Sequence, residues 1–150
     1  MPEKRLSQLD TDFYSSLLRE DDSALRRAAS AAARFAAERN HIKYPAVDTV
    51  LSHMQSGNPL PREAMTELGK LVINLDNIQV DLRERVKLGR KTEAEWKVAF
   101  FHARTANAVF QAANEDPLNA ALESIYEAYT ATEDWPALKG VIVTAMTKSA

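Results

Sequence analysis

Residues 61–88 read PREAMTELGKLVINLDNIQVDLRERVKL, and this stretch decides the fold class. Its apolar residues recur at alternating steps of four and three, which places them in one continuous seam along a helix. The seam consists of Ala64, Leu68, Leu71, Leu75, Ile78 and Leu82. Gly89 follows, and glycine is typical of the left-handed residue after a helix. We therefore predict one long helix of roughly 42 Å, at about 1.5 Å per residue, in the centre of the fold. The alternative is a kink near Asn74 to Asn77 that divides it in two.

The flanking sequence predicts further helices, separated by capping residues rather than by flexible linkers. Thr92 and Glu95 form a capping-box pattern, and Pro45 and Pro117 suit the first turn of a helix. No segment alternates apolar and polar residues long enough to predict a strand. The predicted helices cover residues 7–19, 23–39, 45–55, 61–88 and 92–113, with two more that begin near Asp116 and Asp134.

The helix predicted over residues 23–39 is distinctive because eight of its residues are alanines. Alanine is the best helix former, and its small side chain lets neighbouring helices approach closely. We expect this helix to pack on more than one side. Taken together, the pattern predicts an all-α, single-domain bundle of six or seven helices over residues 1–150, with residues 1–6 flexible.

Composition and charge exclude several classes of function. The chain has 150 residues, no cysteine and a formal net charge of -2. Without cysteine there is no disulfide, thiolate metal site or cysteine nucleophile. The charge is unlike the broad positive surface of non-specific nucleic-acid binders, and no stretch approaches the roughly 20 apolar residues that span a membrane. We expect a cytoplasmic protein with no cofactor and neither a nucleic-acid nor a membrane partner.

Two of the predicted helices carry apolar residues on both sides. Ile73 and Val80 lie opposite the seam of residues 61–88, and Val98 and Phe101 lie opposite the apolar face of residues 92–113. A helix that is apolar all round is usually buried all round, which would place both helices in the centre of the bundle. The alternative is that one of the second faces binds a partner protein or a second copy of the chain.

Catalytic and metal-binding patterns are weak. His102 lies seven residues after Glu95, about 10.5 Å along a helix axis, which is too far for a direct hydrogen bond. His53 lies five residues after Asp48, whereas helical metal ligands are usually three or four residues apart. We therefore predict no catalytic residue and no metal ligand. An enzyme of unrecognised type that uses His102 or His53 remains an alternative.

A basic edge is predicted where the long helix ends. Cations are favoured at a helix C-terminus by the helix dipole, which is a sufficient structural reason for them. The alternative function is a regulator that binds a phosphate ligand or nucleic acid through the same groups. The basic edge consists of Arg83, Arg85, Lys87, Arg90 and Lys91.

Acidic residues precede three of the predicted helices: the run Glu20 to Asp22, the pair Glu115 and Asp116, and the pair Glu133 and Asp134. Such residues cap helix N-termini. If these helix starts shared one end of the bundle, they would form an acidic surface of the kind that inhibitor and immunity proteins present to basic targets. Trp135 is the aromatic residue that we expect to anchor such an interface.

These patterns favour non-covalent recognition over catalysis. We predict a non-enzymatic α-helical protein–protein interaction module, of the adaptor, inhibitor or immunity type. Its partner would be another protein or a second copy of the chain in a homodimer. The candidate partner-binding residues are Trp135, Glu133, Asp134, Glu115, Asp116, Ile73 and Val80.

Overall fold

A computed structural model of the chain describes residues 2–147. These residues form helices and connections without any strand, which confirms the all-α prediction. The helices are α1 (Pro2–Leu9), α2 (Thr11–Leu17), α3 (Asp22–Arg39), α4 (Pro45–Ser56), α5 (Arg62–Lys87), α6 (Glu93–Ala112), α7 (Pro117–Thr132) and α8 (Trp135–Thr147). No helix within residues 2–147 has the length and apolar character to cross a bilayer.

The first predicted helix is two helices, so the described residues hold eight helices instead of six or seven. Asp10 adopts an extended conformation between α1 and α2, and its carboxylate accepts a hydrogen bond from the backbone N–H of Phe13 at 3.0 Å. The expectation of a flexible segment 1–6 is also corrected at Leu6, which lies within α1 and is fully buried. Its burial stabilises α1 against the core.

The other predicted helix ends agree closely with the structure. Thr92 and Glu95 form both hydrogen bonds of the capping box at the start of α6. Gly57 and Gly89 each have φ of 73° and follow the ends of α4 and α5, where a left-handed residue is needed. The local sequence was therefore sufficient to predict where these helices begin or end.

The alanine-rich helix α3 lies at the centre of the fold. It packs against α4, α6, α7 and α8, as its composition predicted. Because alanine side chains are short, several helices can approach α3 at once. The alanines that it buries are Ala24, Ala28, Ala29, Ala32, Ala33, Ala36 and Ala37.

Long-range hydrogen bonds show that α3 and α7 run parallel. At the start of α3, Arg26 donates to the carbonyl oxygen of Asn114, just before α7. At the end of α3, Asn40 donates to the carbonyl oxygen of Ala131 in the last turn of α7, at 3.0 Å. The N-termini of the two helices therefore lie at the same end of the molecule.

Helix α8 runs antiparallel to α3. Arg27, near the start of α3, donates to the carbonyl oxygen of Ala145 near the end of α8 at 3.0 Å. Arg39, at the end of α3, pairs with Asp134 at the start of α8 at 3.1 Å. The start of α8 thus lies at the opposite end from the start of α7.

The long helix α5 is peripheral, which corrects the prediction of a long central helix. It packs mainly against α6 and α4, and it buries only Leu68 and Leu75. The apolar seam predicts which side of α5 faces another helix, but it does not predict how much of the length of α5 that helix covers. Beyond Leu75, the main neighbour of α5 is the exposed first half of α6.

Candidate functional site

A helical hairpin extends beyond the core and is formed by the second half of α5 and the first half of α6. From Asp76 to His102 no side chain is buried. We call these residues the hairpin arm. Since no buried apolar side chain stabilises it, the arm must be held in place by other contacts.

The first of these contacts is a buried ion pair where the arm meets the core. Arg104 of α6 donates to Glu127 of α7 at 3.2 Å and to Asp76 of α5 at 2.8 Å. Glu127 is almost completely buried, and burial raises the pKa of its carboxyl group, with the charge of Arg104 acting in the opposite direction. One guanidinium group thereby connects α5, α6 and α7.

Further along the arm, polar contacts continue from Asp76 towards the tip. Gln79 donates to Asp76 at 2.9 Å, and the indole N–H of Trp96 donates to Gln79 at 3.0 Å. Arg83 lies over the Trp96 ring, 4.3 Å from its centroid, and pairs with Glu93 at 2.9 Å. These contacts and the Arg104 pairs form the polar ladder, which keeps α5 and α6 in register without a buried apolar core.

The opposite side of the arm carries an open groove of about 490 Å³. We call it the arm groove. Ile78 and Val98 face it with 44% and 58% of their surface exposed, while Tyr44 closes the end nearest the core. The full lining is Tyr44, Leu75, Ile78, Leu82, Glu95, Val98, Ala99 and His102. The groove is therefore mainly apolar and accessible.

His102 and Glu95, which the sequence placed on one face of a helix, both line the arm groove. His102 packs edge-on against Tyr44, with ring centroids 6.4 Å apart, and burial lowers the pKa of its imidazole. Hydrogen bonds from Thr92 lower the pKa of Glu95, whose carboxylate also pairs with Lys91 at 3.5 Å. Because that carboxylate already caps α6, it does not orient His102 as a catalytic pair requires.

The other histidine candidate is held by its own helix. The imidazole Nδ1 of His53 lies 2.8 Å from the carbonyl oxygen of Thr49, one turn earlier in α4. Within the described residues, no three His, Asp or Glu side chains are grouped in a way that would hold a metal ion.

Ile73 and Val80 lie on the outward side of α5, away from both α6 and the arm groove. They are 65% and 51% exposed. The interpretation that both apolar sides of this helix are buried in the bundle is therefore wrong for α5. Their neighbours along the same side include Asn77 and Glu84, both exposed, so the two residues form an interrupted apolar stripe rather than a continuous patch.

The basic edge is largely neutralised by nearby carboxylates. Arg85 pairs with Asp81 at 2.9 Å and Lys87 pairs with Glu84 at 3.2 Å. Arg83 and Lys91 have the carboxylate partners already described. Of the five predicted cations, Arg90 alone is in none of the ion pairs found within residues 5–147. This arrangement weakens the phosphate and nucleic-acid alternative.

The predicted acidic surface does not form from all three helix starts. The start of α3, with Asp21 and Asp22, lies at the same end of the molecule as the start of α7, but the start of α8 lies at the other end. Glu115 and Asp116 precede α7, beside the start of α3. Glu133 and Asp134 precede α8, beside the end of α3. Two of the four carboxylates also have basic partners: Asp134 pairs with Arg39, and Glu133 pairs with Lys97 at 3.6 Å.

Trp135 has only part of its surface exposed and is held by contacts among three helices. Its ring packs edge-on against Phe13 at 5.2 Å and Tyr129 at 6.3 Å, and its indole N–H donates to Asp10 at 3.1 Å. It is partly buried against the core. These contacts join α2, α7 and α8, which gives Trp135 a structural role and weakens the prediction that it anchors an interface.

Sequence reasoning identified Arg83, as part of the basic edge, but missed Tyr44 and the part that the other residues of the polar ladder play. For Arg104 and Glu127, the sequence did indicate a buried partner. Arg104 and Glu127 each interrupt a helix that is otherwise rich in alanine and apolar residues, and a charge at such a position usually has a buried partner. Their mutual pairing joins positions 23 apart in sequence, so no local pattern reveals it.

Comparison with protein-family models, with curated proteins and with solved structures gave no match to this chain. Function is therefore inferred from the geometry of the site.

Proposed function

We propose that this chain is a non-enzymatic α-helical adaptor that binds a partner protein through the hairpin arm. The observation that supports this function is the arm groove, where Ile78 and Val98 are about half exposed on a projecting hairpin. Full burial of an exposed apolar side chain of this size contributes about 1.5–3 kcal/mol, so burial of the remaining half of each would contribute roughly half of that. A partner that covers the groove would supply that burial.

The arm is suited to recognition because it is ordered before binding. The polar ladder fixes the spacing of α5 and α6 along the arm, from Arg104 to Arg83. A pre-organised surface loses less conformational entropy on association than a flexible one. An amphipathic segment of a partner would then enter the groove between the two helices.

The adaptor type is favoured over the inhibitor or immunity type. An immunity-type binder would use a surface that pools all three acidic helix starts, whereas the start of α8 is separated from the other two and its carboxylates pair with Arg39 and Lys97. The nucleic-acid regulator is disfavoured because most cations of the basic edge have carboxylate partners. An enzyme based on His102 is disfavoured because Glu95 is engaged by Thr92 and Lys91.

Site-specific photo-crosslinking tests the proposed function. A photo-reactive phenylalanine analogue is placed at Val98 in the arm groove, and at Leu18, which is similarly exposed outside the arm, as the matched control. Irradiation of cells that naturally contain the protein should give a discrete adduct from position 98 and none from position 18. An adduct of twice the chain mass identifies a homodimer, and any other discrete mass identifies a separate partner. Without an adduct specific to position 98, the proposed function is wrong.

A further inference from the structure

A second and larger groove lies between α3 and α8, on a side of α3 that sequence analysis did not single out. Its volume is about 960 Å³, and Met54 and Gln55 of α4 lie at its edge. Small residues, among them Ala31, Ala137 and Gly140, form much of the lining. A Cβ atom built on Gly140 meets nothing within 4 Å, so the space above this glycine is open.

Three arginines of α3 line this groove, and we call it the arginine groove. Each of them is fixed by carbonyl oxygens from another part of the chain. Arg27 donates to Ala145 and Met146 at the end of α8, at 3.0 Å each. Arg34 donates to Leu51 of α4 at 3.2 Å. The third, Arg26, donates to Asn114 and Glu115 after α6.

The positive charge of these arginines is fixed in position but not neutralised. None of the three takes part in an ion pair found within residues 5–147. Glu38 is the one carboxylate in the lining, against three guanidinium groups. The basic edge of α5 differs in this respect, because most of its cations are paired with carboxylates. The three guanidinium groups and single carboxylate of the lining therefore give this side of α3 a local excess of positive charge.

We propose that the arginine groove binds an acidic amphipathic helix of a partner protein. An apolar face on such a helix would cover the small residues, which permit a close approach, and its carboxylates would meet the arginines. From Arg26 to Glu38 the groove runs along roughly 18 Å of α3, which matches about three turns of helix. This surface is separate from the hairpin arm and gives the adaptor a second binding site.

The test uses a pool of synthetic helical peptides of about 18 residues, a length at which isolated helices begin to be stable in water. All peptides share one apolar face of Leu and Ala, and each flanking position is Glu, Lys or Gln at random. The immobilised full chain retains peptides from the pool, which are then sequenced. The retained peptides should be enriched in Glu at the flanking positions and should dissociate as salt is added.

Variants at two positions locate the binding site. Gly140→Trp fills the groove and should abolish retention of the acidic peptides, whereas Gly140→Ala should retain them like the unchanged chain. Arg34→Gln should weaken binding about tenfold, the loss expected for one charge-assisted contact. Arg85→Gln removes the same charge from the basic edge and should leave peptide binding unchanged.

Three outcomes would overturn the proposal. The first is a retained pool without enrichment in Glu, and the second is binding that Gly140→Trp leaves intact. The third is a dimer in light scattering that Gly140→Trp converts to monomer, because a second copy would then be the occupant. Crosslinking from Val98 tests binding at the hairpin arm, whereas retention of the peptides tests binding at the arginine groove. A negative result in one experiment is therefore distinguishable from a negative result in the other.

Discussion

The guanidinium group of Arg104 lies 3.2 Å from the carboxylate of Glu127, and this pair joins the hairpin arm to the core. Glu127 is almost fully buried, so it depends on Arg104 for a counter-charge. The same guanidinium holds Asp76 of α5. Arg104 therefore links α5, α6 and α7 where the arm meets the core, alongside the contact of Tyr44 with His102.

Replacing that side chain should be costly. Arg104→Met leaves the carboxylate of Glu127 buried without its partner, and we expect a loss of about 3 kcal/mol in the free energy of unfolding, measured with urea. Arg85→Met is the control, because it breaks an exposed pair with Asp81 that contributes at most about 1 kcal/mol. Equal losses for the two variants would show that the Arg104 pair has no special role.

Glu127 should make stability depend on pH in a defined direction. Burial raises its pKa in the folded state above the ordinary value of 4.5, so folding favours the protonated carboxyl. Its contribution is fully present below the unfolded pKa and is lost as pH rises through the raised folded pKa. The unfolding free energy of the unchanged chain, minus that of Glu127→Gln, should therefore decrease as pH rises from 4.5 through the raised folded pKa. A constant or rising difference would contradict this assignment.

Asp10 should show the opposite dependence on pH. Its pKa is lowered, first by the hydrogen bond from Lys139 at 2.7 Å and then by the backbone N–H of Phe13. Asp10→Ala removes this cap and should lower the unfolding free energy at neutral pH by about 1 kcal/mol, whereas Asp12→Ala nearby should cost much less. The difference should disappear as pH falls below 3.8 through the lowered folded pKa. A difference that persists in acid would exclude a role for the Asp10 charge.

Glu133 occupies a backbone conformation that favours glycine. It ends α7 with φ of 53°, in the left-handed region. Glu133→Gly should relieve that strain and raise the unfolding free energy by about 0.5–1 kcal/mol, despite losing the exposed pair with Lys97. Thermal unfolding of the variant beside Glu133→Ala, which keeps the strain, provides the comparison. If both variants unfold at the same temperature, the left-handed conformation carries no cost.

The helices were largely predictable because their signals are local. The capping box at Thr92 and the left-handed Gly89 act within a few residues of their own positions. The break at Asp10 was missed because the apolar spacing from Leu9 to Phe13 continues across it. The capping bond of Asp10 and its contacts with α8 exist only in the folded chain.

The centre of the fold was harder to predict because burial depends on what lies opposite a helix. Residues 61–88 have the stronger apolar seam, but the alanines of α3 allow more neighbours to approach. The pairing of the basic edge with carboxylates could be predicted in part from the sequence, since Asp81 and Arg85 are one helical turn apart. The arginine groove could not be predicted from the sequence, because Arg27 donates to carbonyl oxygens more than a hundred residues away.

The central claim is that the arm groove is a binding surface. It is tested most directly by crosslinking from Ile78, on the α5 side of the groove, while Val98, on the α6 side, is substituted. A photo-reactive analogue at Ile78 should give a discrete adduct in cells that naturally contain the protein. Val98→Glu in the same chain should abolish that adduct and change the unfolding free energy by less than about 0.5 kcal/mol, as expected for an exposed position. Leu18→Glu should leave the adduct intact. Persistence of the adduct with Val98→Glu, or its absence from the unchanged chain, would contradict the account.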